Sequence, residues 1–364
     1  MNGKYKAFWL DDEENLVVLD QRLLPFEETT VTLTTAKESV IAIENMTVRG
    51  AGVIGNVAAF GIYLGARECD GDIAKLQLLA EDIRESRPTA VNLMWAVDRM
   101  MKLAYKKKNL KTVNFIKALK NEAILIADED CERSEKIAEY GADIIEEIML
   151  SRSLDTINIL THCNAGWLAI VDSGTALAPI YEAQKRGLKV HVWVDETRPR
   201  NQGANLTAWE LGKAGVEHTV IADNTGGHLM QNSMVDMVIT GADRVARNGD
   251  SANKIGTYLK ALAAYDNDIP FYIAIPTSTF DFEILNGVDD IPIEIRHENE
   301  VKFMRGLNKE GKVQEVQVVP IESSALNYGF DVTPARLISA IITERGDCEP
   351  SVEAIEEVFG DLIC

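Results

Sequence analysis

The sequence predicts an α/β protein of two domains, the second built on a mainly parallel sheet. Three observations predict it. At 364 residues the chain is longer than a typical single domain. From about residue 150 onward, short β-branched or aromatic runs each end in a polar, glycine-containing tail: "TINILTHCNAG", "KVHVWVDETRPRNQG", "EHTVIADNTGGHL", "VDMVITGADRVARNGD" and "PFYIAIPTSTFD". Helical segments such as "GTALAPIYEAQKRG" and "LTAWELGKAG" lie between them, and buried runs alternating with helices imply β-α units. Before residue 150 the pattern is mixed. The expected division is therefore a smaller N-terminal α+β domain over 1–150 and a larger domain over 151–364.

Taken in order, "KAFWL" and "NLVVLD" flank "DDEE" and read as a short antiparallel pair. In "TVRGAGVIGNVAAFGIYLGA", Ile54, Ala58 and Ile62 recur every four residues on a helix of small side chains. In "ESRPTAVNLMWAVDRMMKLA", Pro88 suits a first helical turn, and Leu93, Ala96, Val97, Met100 and Ala104 form an apolar stripe. Another helix follows "KKKNLK", and "CERSEKIAEYGADIIEEIM" reads as a further helix leading out of the region. Late in the chain, "MRGLNKEGKVQEVQVV" reads as a surface hairpin.

Composition narrows the function. The chain is 46% hydrophobic and 26% charged, as ordinary globular proteins are. Its net charge of -20 excludes the basic footprint of a nucleic-acid binder and disfavours an anionic membrane surface. A small anionic substrate remains compatible if a few cations converge locally. The N-terminus lacks the apolar segment of a signal peptide and no run approaches a membrane span, so the chain reads as cytoplasmic. Five widely spaced cysteines without a C-x-x-C pair make neither a disulfide framework nor a zinc site. The histidines at 162, 191, 218, 228 and 297 show no ligand spacing, and no metal or cofactor is expected. Neither G-x-G-x-x-G after the first strand of the second region nor G-x-x-x-x-G-K-[ST] is present, which counts against a dinucleotide and an ATPase.

In parallel sheets ligands bind beyond the carboxyl ends of the strands, where the polar tails sit. "THCNAG" leaves Cys163 there. A lone cysteine is more often a small buried hydrophobe, but other tails add chemistry. "TGADR" leaves Asp243 past "MVIT", and an acid against apolar walls has the raised pKa that a general acid needs. "ANKIG" supplies Asn253 and Lys254, and "DETRPRNQG" supplies Arg198, Arg200 and Gln202. In the N-terminal part, "VRGAG" offers Arg49, Gly50 and Ala51 at a helix start, where free N–H groups and small side chains suit a phosphate. Arg87 precedes the next helix. A glycine turn with solvated arginines is the plainer reading of these two places.

Together "VRGAGVIG", "RPTAVNLMWAVDRM", "THCNAG", "ETRPRNQGANLTAWE", "GADRVARNGDSANKIGTY", "PTSTFD" and "FDVTPARL" resemble the methylthioribose-1-phosphate isomerases. Those are relatives of the regulatory subunits of translation initiation factor 2B and of ribose-1,5-bisphosphate isomerases. The likeness covers nearly the whole chain. It implies a Rossmann-like second domain, a homodimer, a catalytic pair of Cys163 and Asp243, and substrate binding by Arg49, Gly50, Ala51, Arg87, Gln202, Asn253 and Lys254. The substrate implied is one small sugar phosphate. Trp167 stands where a smaller residue is usual, and "DNTGGHLMQ" has two glycines where alanines are common. Both features look closer to the branch that also isomerises 5-deoxyribose 1-phosphate.

In the implied reaction Asp243 protonates the ring oxygen, while Cys163 acts at C1 and C2, most simply as the base. A free thiol has pKa about 8.5, so a thiolate needs nearby cations, with Lys254 and an arginine as candidates. A hydride shift, with Cys163 only steering charge, is the alternative. His162 points to the opposite face if the strand continues that far. The rival from another class is a non-catalytic regulatory subunit.

Overall fold

The computed structural model describes residues 6–87 and 90–363. Near the N-terminus, β1 (Phe8–Leu10), β2 (Leu16–Leu19) and β3 (Thr30–Leu33) form an antiparallel sheet, the first two strands being the expected pair. Helix α1 (Ala36–Glu44) starts at a capping box in which Thr35 and Glu38 satisfy one another's backbone N–H groups. Helix α2 (Ala51–Glu68) is buried on every side from Gly52 to Ala66, so its small residues let neighbours approach all round. Helix α3 (Ile73–Glu85) and helix α4 (Val91–Lys107) pack against it. The stripe of Leu93, Ala96, Val97, Met100 and Ala104 is buried as expected, while Pro88 lies outside the described residues.

The two helices expected after "KKKNLK" are one. Helix α5 (Thr112–Arg152) runs unbroken for 41 residues. Its polar middle is held by the ion pairs of Arg133 with Glu129 and Asp130. Phe115 to Cys131 face a core shared with α2 and α4, and Ile137 to Met149 face a second core under the parallel sheet.

That sheet comprises β4 (Ile157–Thr161), β5 (Val190–Asp195), β6 (Glu217–Ile221), β7 (Met237–Thr240), β10 (Phe271–Ala274), β15 (Ala340–Thr343) and β16 (Gly346–Cys348). Its order is β16-β15-β10-β7-β4-β5-β6, parallel except for β16. Helices α6 (Ala178–Lys185), α7 (Ala208–Ala214), α8 (Thr225–Gln231) and α9 (Thr257–Asp266) lie between its strands in sequence. Strand β6 departs from the expected buried run: it is the sheet edge and is largely exposed. A smaller sheet of β8 (Arg244–Ala246), β9 (Ser251–Lys254), β11 (Phe280–Asp281) and β14 (Phe330–Thr333) adjoins β7 through the chain. The expected hairpin is present as β12 (Phe303–Leu307) and β13 (Val313–Gln317). No helix among the described residues is long and apolar enough to cross a membrane.

Successive strands run outward from β4 in one direction as β5 and β6, and in the other as β7, β10 and β15. The reversal lies between β4 and β7. Such a switch point opens a crevice at the carboxyl ends of the two strands. Cys163 follows β4 and Asp243 follows β7, so both candidates stand at its rim.

Candidate active site

Cys163 sits two residues beyond β4 with φ of 65°, a left-handed conformation uncommon for a side chain of its kind. Its surroundings hold it there. The Cys163 N–H donates to Thr197 Oγ1 at 2.8 Å, and Thr207 Oγ1 donates to the Cys163 carbonyl at 2.6 Å. Backbone strain held by specific bonds is typical of sites where a side chain must be aimed. His162 does not serve the thiol. Its Nδ1 lies 3.1 Å from Asp195 Oδ2 and its Nε2 lies 2.9 Å from the Ile255 carbonyl oxygen, leaving no ring nitrogen for Cys163.

Burial pushes the Cys163 thiol up, against the pull of Arg49 and Lys254, with the Asp243 carboxylate adding to the rise. The expected cations are therefore present, but desolvation outweighs them and holds the thiol above its usual range. Asp243 opens partly onto the crevice, yet protein surrounds it and burial raises its carboxyl; Lys254, Arg87 and Arg49 oppose this. Its N–H donates to the Ala252 carbonyl at 2.9 Å, which ties the tail of β7 to β9. Burial lowers Lys254, while Cys163 and Asp243 favour its charged form. Its Nζ donates to the Gly329 carbonyl at 2.8 Å and lies 4.8 Å from the centre of the Phe330 ring.

Arg49 reaches the same place from the other side. Its guanidinium straddles Asn164, donating to the side-chain oxygen at 2.5 Å and to the carbonyl at 2.9 Å. Gly50 follows with φ of 92°, and a Cβ there would lie 2.4 Å from Ala169 Cα, so only glycine allows the start of α2 to approach that loop. Val53 N–H is already taken by the Ala169 carbonyl, whereas the N–H groups of Ala51 and Gly52 have no acceptor among the described residues. Burial depresses Arg87, opposed by Glu294, whose Oε2 is 3.5 Å away, and by Asp243.

Five expected residues, Cys163, Asp243, Lys254, Arg49 and Arg87, thus act on one another's charges. Ala51, Arg87 and Asp243 line one recess with Ile54, Ile291 and Phe330, and Arg49 and Gln202 line a second with Gln21 and Asn205. Asn253 is next to Lys254 and gives its amide to Thr257 Oγ1 at 3.0 Å. Arg198 and Arg200 are used structurally: Arg198 donates to the Val301 carbonyl and Arg200 pairs with Glu300 at 2.9 Å. Three buried polar atoms, Arg49 Nε, Arg87 Nε and Gln202 Oε1, have no hydrogen-bond partner among the described residues. Unpaired buried groups converging on recesses beside one thiol–carboxyl pair mark where a polar ligand would sit.

A family described as the initiation factor 2 subunit family matches residues 47–350. A methylthioribose-1-phosphate isomerase from Sulfurimonas denitrificans is 62% identical over 362 residues, covering 99% of each chain. The chain belongs to the methylthioribose-1-phosphate isomerases of the initiation factor 2 subunit family.

Solved structures agree with this family placement. A 5-methylthioribose 1-phosphate isomerase from Pyrococcus horikoshii matches with a TM-score of 0.83 at 37% identity, covering 98% of this chain and 96% of its own. A protein described as translation initiation factor eIF-2B, subunit delta, from A. fulgidus matches with a TM-score of 0.80 at 37% identity, over 97% and 99% of the two chains.

Sequence reasoning missed several residues around this family's fold motif. Asn164 lay inside the quoted "HCNAG" yet was not singled out, and Thr197 and Thr207 carried no signal of their own. Glu210 could have been found as the acid among the apolar residues of "TAWEL"; it is wholly buried. Among the described residues, His162, Asp195 and Asp223 bring ligand-type atoms within 4.8 Å of one another. A cation already occupies that cluster, because Lys260 Nζ lies 2.9 Å from Asp195 Oδ2 and donates to the Asp223 carbonyl.

Proposed function

We propose that this chain is an aldose–ketose isomerase that converts 5-methylthioribose 1-phosphate to the corresponding ribulose 1-phosphate in methionine salvage. The observation that carries the reading is the full-length likeness to a methylthioribose-1-phosphate isomerase at 62% identity. The pairing of a buried thiol and a buried carboxyl across β4 and β7 supports it.

Esterification of the anomeric oxygen locks the substrate as a furanose, so ring opening needs an acid. In this proposal Asp243, whose carboxyl burial pushes up, protonates the ring oxygen as its bond to C1 breaks. Arg49, the N–H groups of Ala51 and Gly52, and Arg87 receive the phosphate; Gln202, Asn253 and Lys254 hold the sugar hydroxyls and phosphate oxygens. Hydrogen then moves from C2 to C1 while the C2 hydroxyl releases its proton to become a carbonyl, and that proton, directly or through solvent, restores the Asp243 acid. The raised thiol of Cys163 favours a hydride shift over proton abstraction by a resident thiolate. Substrate deuterated at C2 tests this: retention of the label at C1 supports the shift, and full exchange with solvent rules it out.

The same proposal includes 5-deoxyribose 1-phosphate as a second substrate. Trp167, one basis for that reading, packs against Trp209, ring centres 5.4 Å apart and planes tilted by 51°, in an apolar cluster with Leu24 and Leu206. Leu24 and Leu206 also line the recess of Arg49 and Gln202, so Trp167 backs its wall. Comparable kcat/KM for the two sugars supports the double specificity, and no turnover of the deoxy sugar refutes it. The proposal extends to a cytoplasmic homodimer of two-domain protomers, free of nucleic acid and membrane. The net charge of -20 supports the last two exclusions.

The likeness to the A. fulgidus protein favours one rival, a non-catalytic regulatory subunit. A coupled isomerase assay on purified protein separates the readings. Absence of turnover with any 5-substituted ribose 1-phosphate would favour the rival.

A further inference from the structure

Behind the loop that follows Cys163 lies a carboxylate with no place in the reaction described above. Glu210, on α7, is fully buried and accepts four hydrogen bonds. Its Oε1 takes the Asn164 amide at 2.8 Å and the Leu168 N–H at 3.1 Å; its Oε2 takes the Trp167 N–H at 3.0 Å and the Tyr181 hydroxyl at 3.1 Å. The amide and the two N–H groups can only donate, whereas the Tyr181 hydroxyl can donate or accept, so three obligate donors favour the charged carboxylate. Burial works against the charged form and pushes Glu210 up to about 7, while these same donors pull it down.

Room for the carboxylate is built into the loop. A Cβ on Gly166 would lie 1.9 Å from Glu210 Oε2, so the residue at that position must lack one. The loop in turn carries the anion-binding elements. Asn164 spends its amide on Glu210 and on Thr207 Oγ1, which leaves its side-chain oxygen and its carbonyl directed at Arg49. The Ala169 carbonyl, one residue beyond the Glu210-bound N–H of Leu168, accepts from Val53 in the first turn of α2.

We infer that Glu210 is a positioning residue for substrate phosphate: through Asn164 it fixes the Arg49 guanidinium, and through the 166–169 loop it fixes the start of α2. This rests on the assignment of Arg49 to the phosphate. Glu210 makes no bond to Cys163, whose N–H is held by Thr197 and whose carbonyl accepts from Thr207, a hydroxyl that Asn164 also contacts. Disturbing Glu210 therefore acts on binding more than on the chemical step.

The test is Glu210→Gln, with Asn164→Ala as a second variant that leaves the carboxylate in place. For each, KM, kcat and competitive inhibition by inorganic phosphate are measured alone and combined with Arg49→Ala. Glu210→Gln places an amide donor against donors and should raise KM and the phosphate inhibition constant about tenfold, with kcat changed less. In the Arg49→Ala background either variant should add little, because its effect is already lost. Unchanged KM, a loss confined to kcat, or effects that multiply with Arg49→Ala would overturn the inference while leaving Arg49 in the site. A normal KM for Arg49→Ala itself would remove Arg49 from the phosphate and the Glu210 route with it. Should Glu210→Gln not fold, the Asn164→Ala cycle decides in the same terms.

Discussion

Desolvation dominates the two groups assigned to the chemistry, and it acts on them in opposite ways with respect to usefulness. For Asp243 the neutral form is what a general acid needs, so burial helps. Asp243→Asn keeps the shape and removes the transferable proton; kcat should fall by at least ~10²-fold while substrate still binds. A variant within a few-fold of wild type would assign ring protonation to another group. For Cys163 the thiolate is the reactive form, and burial raises its pKa above the ordinary 9.0. Thiolate accumulates only as pH rises through that raised value. Alkylation of Cys163 should thus be slow at neutral pH, accelerate on the alkaline side of an exposed thiol, and be blocked by saturating substrate. Fast, substrate-independent modification at pH 7 would contradict this electrostatic picture. Cys163→Ala should fold yet lose turnover, whereas an active alanine variant would end the catalytic assignment.

Within single elements, the start of α2 is where geometry is tightest. Gly50 has φ of 92° and faces Ala169 at a distance no Cβ tolerates. Gly50→Ala combines a backbone cost of ~1–2 kcal/mol with a clash against another backbone. The expected outcome is a lower Tm together with a raised KM, since relief requires α2 to withdraw from the loop bearing Asn164. A lowered Tm with normal KM would separate helix docking from phosphate binding. Helix α5 shows how element length escaped the sequence. Its polar centre broke the apolar periodicity, but the breaking residues are ion-paired on the helix itself, with Arg133 Nη1 2.7 Å from Asp130 Oδ1. Charges at spacings of three and four support a helix that hydrophobic spacing alone would interrupt.

Over the whole molecule, protection should follow the strand order. Strands β4, β7 and β10 lie in the interior of the sheet, while β6 and the β12–β13 hairpin are exposed. Amide hydrogen exchange should be slowest in β4, β7 and β10 and fastest in β6, β12 and β13. Equal protection of β6 and β7 would require β6 to be covered by another chain.

Much of this architecture was legible in local residue patterns. Apolar runs ending in polar tails located β4, β5, β7 and β10, and the tails already held Cys163 and Asp243, while Asn253 and Lys254, expected in a tail, lie on strand β9. Those features depend on side-chain alternation and turn chemistry, which act between near neighbours. Tertiary structure decided that β7 pairs with β4, which turns two distant tails into the rims of one crevice. It also decided that Glu210 is buried under the Cys163 loop and that burial pushes the Cys163 thiol up despite two nearby cations. Strand order and desolvation arise from contacts between residues far apart in sequence, and no local pattern records them.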